Sequence, residues 1–353
     1  MDNWTAPARR LGLRALLLLC LLPALLGSAL AANTVTRKGK GWEYYLTGSA
    51  ADRVLPAPRR AGAALMGGEA DVDGAFRWLV QRAGGGDFVV IRASGDDGYQ
   101  SYVFDTIGGV DSVETLVVAT RDAANDPFVV DRVLRAEVLF IAGGDQSDYV
   151  KLWSGTALHD AIKALQRRNV PVGGISAGLA VMGALDFAAL NGTLASSDAL
   201  SDPYNKRVSL DSGFLTVSGL EADITDSHFA ARDRMGRMLA FLARSIQDQR
   251  VSGFDAIRGV GVDAGVAVLL DGLQATLLTQ PGYEGRGAYF LRPLMAPTVC
   301  APKQPLTFRN VQVDKITASG NFNLSTWSGL SARYQVNAEA GVLTSEQAGG
   351  AVY

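Results

Sequence analysis

The sequence predicts an α/β fold: a doubly wound, mostly parallel sheet with a nucleophile elbow, followed by a small β-rich C-terminal portion. Three observations carry this expectation. Short apolar runs recur at Ala63-Ala64-Leu65-Met66, Phe88-Val89-Val90-Ile91, Thr115-Leu116-Val117-Val118 and Val138-Leu139-Phe140-Ile141. They are continuous rather than alternating, as strands covered on both faces require. Helix-compatible stretches separate them, which is the alternation of a doubly wound sheet. After about residue 275 helical periodicity fades. Thr307-Phe308, Val311-Gln312-Val313 and Tyr334-Gln335-Val336 then read as short strands between turns of Gly, Pro, Ser and Asn.

Taken in order, the chain begins with Arg9, Arg10 and Arg14 ahead of an apolar run from Ala15 to Leu26. Ala29-Leu30-Ala31 follows and fits a signal-peptidase site. The apolar run of 12 residues is short of the roughly 20 that span a bilayer. Residues 1–31 are therefore expected to be a signal peptide, cleaved near Ala31, with no stable membrane span afterwards. The mature chain is expected in the periplasm, at the cell surface or secreted. Residues 32–60 read as a leader closed by Pro56, Pro58, Arg59 and Arg60. The α/β domain is expected over 61–275 and the β-rich portion over 276–353. Whether that portion extends the main sheet or forms its own lobe is left open. Asp71 and Asp73 are expected to cap a helix through Phe76, Leu79 and Val80, ended by Gly84-Gly85-Gly86. Asp126-Pro127 is expected to start another over Val130, Val133 and Leu134.

Composition narrows the chemistry. The 353 residues are 48% hydrophobic and 19% charged, enough for a packed core. The cysteines are Cys20 and Cys300, and the histidines are His159 and His228. A Cys/His zinc centre cannot be assembled from that set, and no metal or other cofactor is expected. Cys20 leaves with the signal peptide, so Cys300 stands alone and no intrachain disulfide is expected. Net charge is −2, and about −4 once residues 1–31 are removed. That balance argues against a nucleic-acid partner.

The most informative stretch is Val172-Gly173-Gly174-Ile175-Ser176-Ala177-Gly178. Residues 174–178 spell G-x-S-x-G between a β-branched strand and a helix-compatible run. That context is what a nucleophile elbow requires. It would project the Ser176 hydroxyl at the carboxyl end of the strand, where such sheets bind ligands. The Ala177 N–H would face an incoming carbonyl. Ala142-Gly143-Gly144-Asp145-Gln146 ends the preceding strand and is expected beside Ser176. A Gly144 or Asp145 N–H would then complete an oxyanion hole.

The base must be one of two histidines. In Leu158-His159-Asp160-Ala161-Ile162 the buried stripe is Leu158, Ile162 and Leu165. His159 falls on the other face with Lys163 and Gln166, so a solvated position is expected. His228 lies in Asp226-Ser227-His228-Phe229, between a strand end and a helix bearing Met235, Met238, Leu239 and Leu242. Scaffolds hold catalytic groups at such junctions. Arg232, Arg234 and Arg237 crowd the same helix start, where the macrodipole favours anions. They point to a bound carboxylate, or to partners such as Asp226 and Asp233.

These segments together resemble peptidase family S51, the cyanophycinase and dipeptidase E group, which has a class I glutamine-amidotransferase-like fold. The resemblance covers roughly residues 60–275. It implies a serine peptidase with Ser176 as nucleophile and His228 as general base. It also implies that Gln146, Asp226 and the three arginines shape the pocket for an aspartyl substrate. The implied partner is an aspartyl-containing peptide or a cyanophycin-like polymer cut at aspartyl or β-aspartyl (isoaspartyl) bonds. A homodimer is the assembly kept open. Ile175 stands where the family usually has threonine. In Gly261-Val262-Asp263-Ala264-Gly265, Ala264 occupies the position of the family's histidine-orienting glutamate. Asp226 or Asp263 would have to substitute, or the site would work as a Ser–His dyad. The alternative is a weakly active or non-catalytic ligand-binding member of the fold. An esterase of the α/β-hydrolase fold fits less well, because little after His228 matches that order of residues.

Overall fold

The computed structural model describes residues 36–49, 51, 59–317, 320–329 and 332–353. The signal peptide expected over 1–31 lies outside the described residues. In chain order the first elements are β1 (Arg37–Gly39), β2 (Trp42–Gly48), β3 (Ala63–Met66), α1 (Asp73–Ala83), β4 (Asp87–Arg92) and β5 (Ser112–Val118). Next come α2 (Pro127–Leu134), β6 (Val138–Ile141), α3 (Gln146–Trp153), α4 (Ala157–Arg167), β7 (Val172–Ile175) and α5 (Ala177–Ala180). The middle of the chain holds β8 (Leu185–Phe187), α6 (Ser196–Ser201), β9 (Leu210–Ser212), β10 (Asp223–Asp226) and α7 (Met235–Gln247). Strands follow: β11 (Arg258–Val262), β12 (Val266–Asp271), β13 (Gln274–Thr279), β14 (Gly287–Pro293) and β15 (Phe308–Thr317). The last are β16 (Asn321–Asn323), β17 (Ser328–Gly329), β18 (Ala332–Glu339) and β19 (Val342–Ser345).

Two sheets result. The first runs β1-β2-β5-β4-β6-β7-β3-β12-β13-β16-β17, and the second runs β19-β18-β15-β14-β11-β10-β8-β9. The centre of the first sheet, β5-β4-β6-β7-β3, is parallel throughout, and its flanks are antiparallel. The apolar runs named above form this parallel centre. They are buried along their whole length because helices cover both faces. On one face Phe76 and Leu79 of α1 pack with Phe88 and Phe140. On the other, Val129 and Val133 of α2 and Leu158, Ile162 and Leu165 of α4 share a core with Val89, Ile91 and Leu139. Further along that second face the two sheets meet. Val260, Val262 and Phe290 share a core with Val268, Leu270 and Leu277. Helix α7 closes the outer face of the second sheet with Met238, Leu239 and Leu242.

Three features differ from the sequence expectation. Residues 37–48, placed there in a leader, form the β1–β2 hairpin, and β2 pairs with β5. Trp42, Tyr44 and Tyr45 are buried. Trp42 stacks on Phe128 and donates from its indole to Asp126, which also caps α2. β2 is thus anchored on the sheet by aromatics, with exposed β1 outside it. Second, Asp71 and Asp73 do not cap α1. Their carboxylates accept from the Tyr99 and Tyr102 hydroxyls, and the Asp73 N–H is met by the Gln280 side chain. Third, no boundary falls at 275. The chain after α7 feeds both sheets, β12 and β13 widening the first and β14 and β15 joining β11 in the second.

Candidate active site

Ser176 sits between β7 and α5 with φ 55° and ψ −111°, a conformation costly for a side-chain-bearing residue. The flanking glycines make that turn feasible. A methyl at Gly174 would lie 2.6 Å from the Gly178 backbone, and one at Gly178 would lie 2.0 Å from the Ile141 carbonyl oxygen. The elbow therefore needs glycine at both positions. Because β6 and β7 are parallel neighbours, the Gly143-Gly144 loop reaches Ser176; a Gly143 methyl would be 3.5 Å from its Cβ. Asp145 caps α3 by accepting the Ser147 N–H.

His228 arrives from the other sheet. It follows β10, takes φ 45°, and donates its N–H to the Gly67 carbonyl at 2.8 Å. The Ser176 N–H donates to the Met66 carbonyl at 3.0 Å. Ser176 and His228 thus hang on adjacent residues at the end of β3. Gly68, at φ 101°, lies flat against the imidazole, where a methyl would approach within 2.4 Å of Cε1 and Nε2. Ser176 Oγ and His228 Nε2 are 2.8 Å apart. The sequence shows Gly67-Gly68 only as the end of a strand. The β3–β7 pairing turns it into the support for Ser176 and His228.

The other imidazole nitrogen, Nδ1, is buried and has no hydrogen-bond partner among the described residues. Asp226 and Asp263, the two aspartates expected as substitutes, are engaged elsewhere. Asp263 accepts the Ala230 and Ala231 N–H groups at 3.1 and 2.8 Å, so it caps the turn after His228. Asp226 is buried and takes two bonds from Arg237, at 2.7 and 2.6 Å, and one from Arg234 at 3.1 Å. Burial would raise the Asp226 carboxyl, but Arg237 and Arg234 outweigh it and hold it below the ordinary carboxylate range. Burial, with Arg232 and Arg234 adding positive charge, pushes the His228 imidazole down to about 4. It is neutral at physiological pH.

A pocket of about 230 Å³ opens over Ser176, walled by Gly144, Gln146, Ala177, Thr193, Arg232 and Arg234, with Arg237 at its base. Gln146 donates to the Phe187 carbonyl, which fixes its amide. The arginines play different parts. Arg237 is 2% exposed and locked on Asp226, and Arg234 bridges Asp226 to the Ser227 carbonyl and hydroxyl. Arg232 is exposed and, among the described residues, has no carboxylate partner. Asp226 does not reach the pocket wall. It lies beneath the arginines as their counter-ion, buried at the end of β10.

His159 is not solvated, contrary to the helical-stripe expectation. It is buried, stacked on Phe214 at 4.7 Å, with Nε2 2.6 Å from the Phe214 carbonyl and Nδ1 accepting the Gly155 N–H. The segment after β9, through the Phe214 and Thr216 carbonyls, covers the face of α4 that the periodicity leaves open. Cys300 is buried and free.

The sequence model of peptidase family S51 matches residues 97–189, a stretch that contains the Gly143-Gly144 loop and Ser176 and ends before His228. No curated protein matches. Among solved structures, a peptidase from an acI-B1 Actinobacterium is similar at TM-score 0.47 and 14% identity, over 75% of this chain and 97% of that one. A putative peptidase E protein from Listeria monocytogenes EGD-e is similar at TM-score 0.41 and 13% identity, over 62% and 98% of the two chains. Through residues 97–189, with its elbow and adjoining glycine loop, the chain resembles peptidase family S51.

Proposed function

We propose that this chain is a serine peptidase of the S51 type that hydrolyses aspartyl or β-aspartyl peptide bonds. The 2.8 Å contact between Ser176 Oγ and His228 Nε2, inside a pocket walled by Arg232 and Arg234, carries the reading. Ser176 Oγ attacks the carbonyl carbon as its proton passes to Nε2. The Ala177 and Gly144 N–H groups receive the oxyanion. His228 then returns the proton to the leaving amine, and water releases the acyl-enzyme. Arg232 meets the substrate carboxylate, since Arg234 and Arg237 are already neutralised in part by Asp226. We further place the reaction outside the cytoplasm, on the Arg9-to-Ala31 motif; N-terminal sequencing of exported protein tests this. Assay against β-aspartyl-arginine polymer and a panel of aspartyl dipeptides tests the chemistry. Turnover that persists in Ser176→Ala overturns it.

The orphaned Nδ1 favours a second reading, a carboxylate-binding protein on a hydrolase fold. To serve as base, His228 must carry its proton on Nδ1. A buried N–H without an acceptor costs about 1–3 kcal/mol. The opposite tautomer, with Nε2–H donating to Ser176, leaves the serine unactivated. Ala264→Glu separates the readings. A large gain in rate marks a site held back by a missing acid, and healthy basal turnover with no gain marks a working dyad.

A further inference from the structure

The turn from His228 to Met235 carries the base and two pocket arginines, and much of its anchoring is long-range. His228 N–H bonds to Gly67 and Phe229 N–H to Val262. Further along, Asp233 takes φ 48° immediately before Arg234. Its carbonyl accepts from the Ser196 hydroxyl, which also accepts the Arg237 N–H. Its carboxylate accepts from the Tyr353 hydroxyl at 2.9 Å. The same hydroxyl accepts the N–H of Met235, the first residue of α7, at 2.7 Å. Arg234 is therefore bracketed by two residues that one phenol holds. The phenol is held in turn. Its ring meets Phe229 and Tyr289 edge-on at 6.1 and 5.7 Å, and the Tyr334 hydroxyl donates to the Val352 carbonyl. A helix N-terminus leaves N–H groups without partners inside the helix. Here α7 has no side-chain cap of its own, and Tyr353 supplies one from 118 residues away.

We propose that Tyr353 is a positioning residue for the candidate active site: it fixes Asp233 and Met235 and so sets Arg234 and the neighbouring Arg232 at the pocket wall. The proposal rests on the reading of that pocket as an anion-recognising site. Burial and Asp233 raise the phenol far above its ordinary range, so it stays a donor to Asp233 at all working pH values. The base has separate anchors on β3 and β11. Loss of the phenol hydroxyl should therefore weaken recognition of the acidic group more than it slows chemistry.

The test is Tyr353→Phe, which keeps the ring contacts and removes both hydrogen bonds. Amide hydrogen exchange over residues 229–237 should accelerate about tenfold, while the interior of α7 keeps its protection. Against an aspartyl dipeptide, KM should rise about fivefold with kcat within twofold. Asp233→Ala combined with Tyr353→Phe should add less than the two effects summed. Unchanged exchange over 229–237 overturns the proposal. So does a fall in kcat with KM unchanged. If the native protein turns over no aspartyl substrate, the peptidase reading fails, and the exchange experiment still decides the role of Tyr353.

Discussion

His159 and His228 are both buried, and both have a ring nitrogen in a short hydrogen bond, yet they are held in opposite ways. His159 has both nitrogens satisfied by backbone. Nδ1 accepts from Gly155, so Nε2 carries the proton and donates to Phe214. Its tautomer is fixed and it stacks on an aromatic ring. His228 spends one nitrogen on the serine and, among the described residues, leaves the other without a partner. It sits against Gly68 in a strained backbone position, beside cations. A satisfied imidazole holds structure together. One with a free choice of tautomer, aimed at a hydroxyl, is equipped to move a proton.

The comparison can be broken in several ways. The largest effect is expected at the catalytic pair, where Ser176→Ala or His228→Ala should lower turnover about 10³-fold or more with the fold intact, checked by kcat and circular dichroism. Next is the counter-ion beneath the pocket. Asp226→Ala leaves Arg237 buried without its partner and should cost about 3–5 kcal/mol in a urea titration. Smaller is His159→Ala, which strands the Gly155 N–H and the Phe214 carbonyl. It should cost about 1–3 kcal/mol in stability, with kcat per folded molecule unchanged. If His159→Ala instead removes turnover, the assignment of roles is reversed. The most modest effect concerns pH. Activity needs neutral His228, so kcat/KM should hold as pH falls and drop only through about 4. An acid limb near the ordinary histidine value would mean that burial and the neighbouring cations do not act on this imidazole.

Much of the site was legible. G-x-S-x-G with a β-branched strand before it located Ser176, because only glycine clears the Gly178 and Ile141 backbones. The apolar runs gave the parallel centre, since period and continuity follow directly from burial on both faces. The aspartates resisted. Asp226 and Asp263 look alike beside a histidine, and their partners, Arg237 and the Ala230–Ala231 amides, depend on how the turn after β10 folds back. Helical spacing misplaces His159 because it reports which face α4 turns to its sheet, not what a segment fifty residues later lays over the opposite face. Gly68 carries no signal of its own in the sequence, because a glycine pair closes many strands.

Sequence alone singled out Ser176 as the candidate nucleophile, His228 as the candidate base and Ala264 as a position without a carboxylate. Those are properties of local spacing and of which residue types exist at all. The tertiary structure alone decided what surrounds the base: two aspartates turned away, an unpartnered Nδ1, a glycine against the ring and a distant tyrosine under the arginine turn. These contacts join β3, β10, β11 and residue 353, and no local pattern encodes a pairing between segments that meet only when two sheets pack.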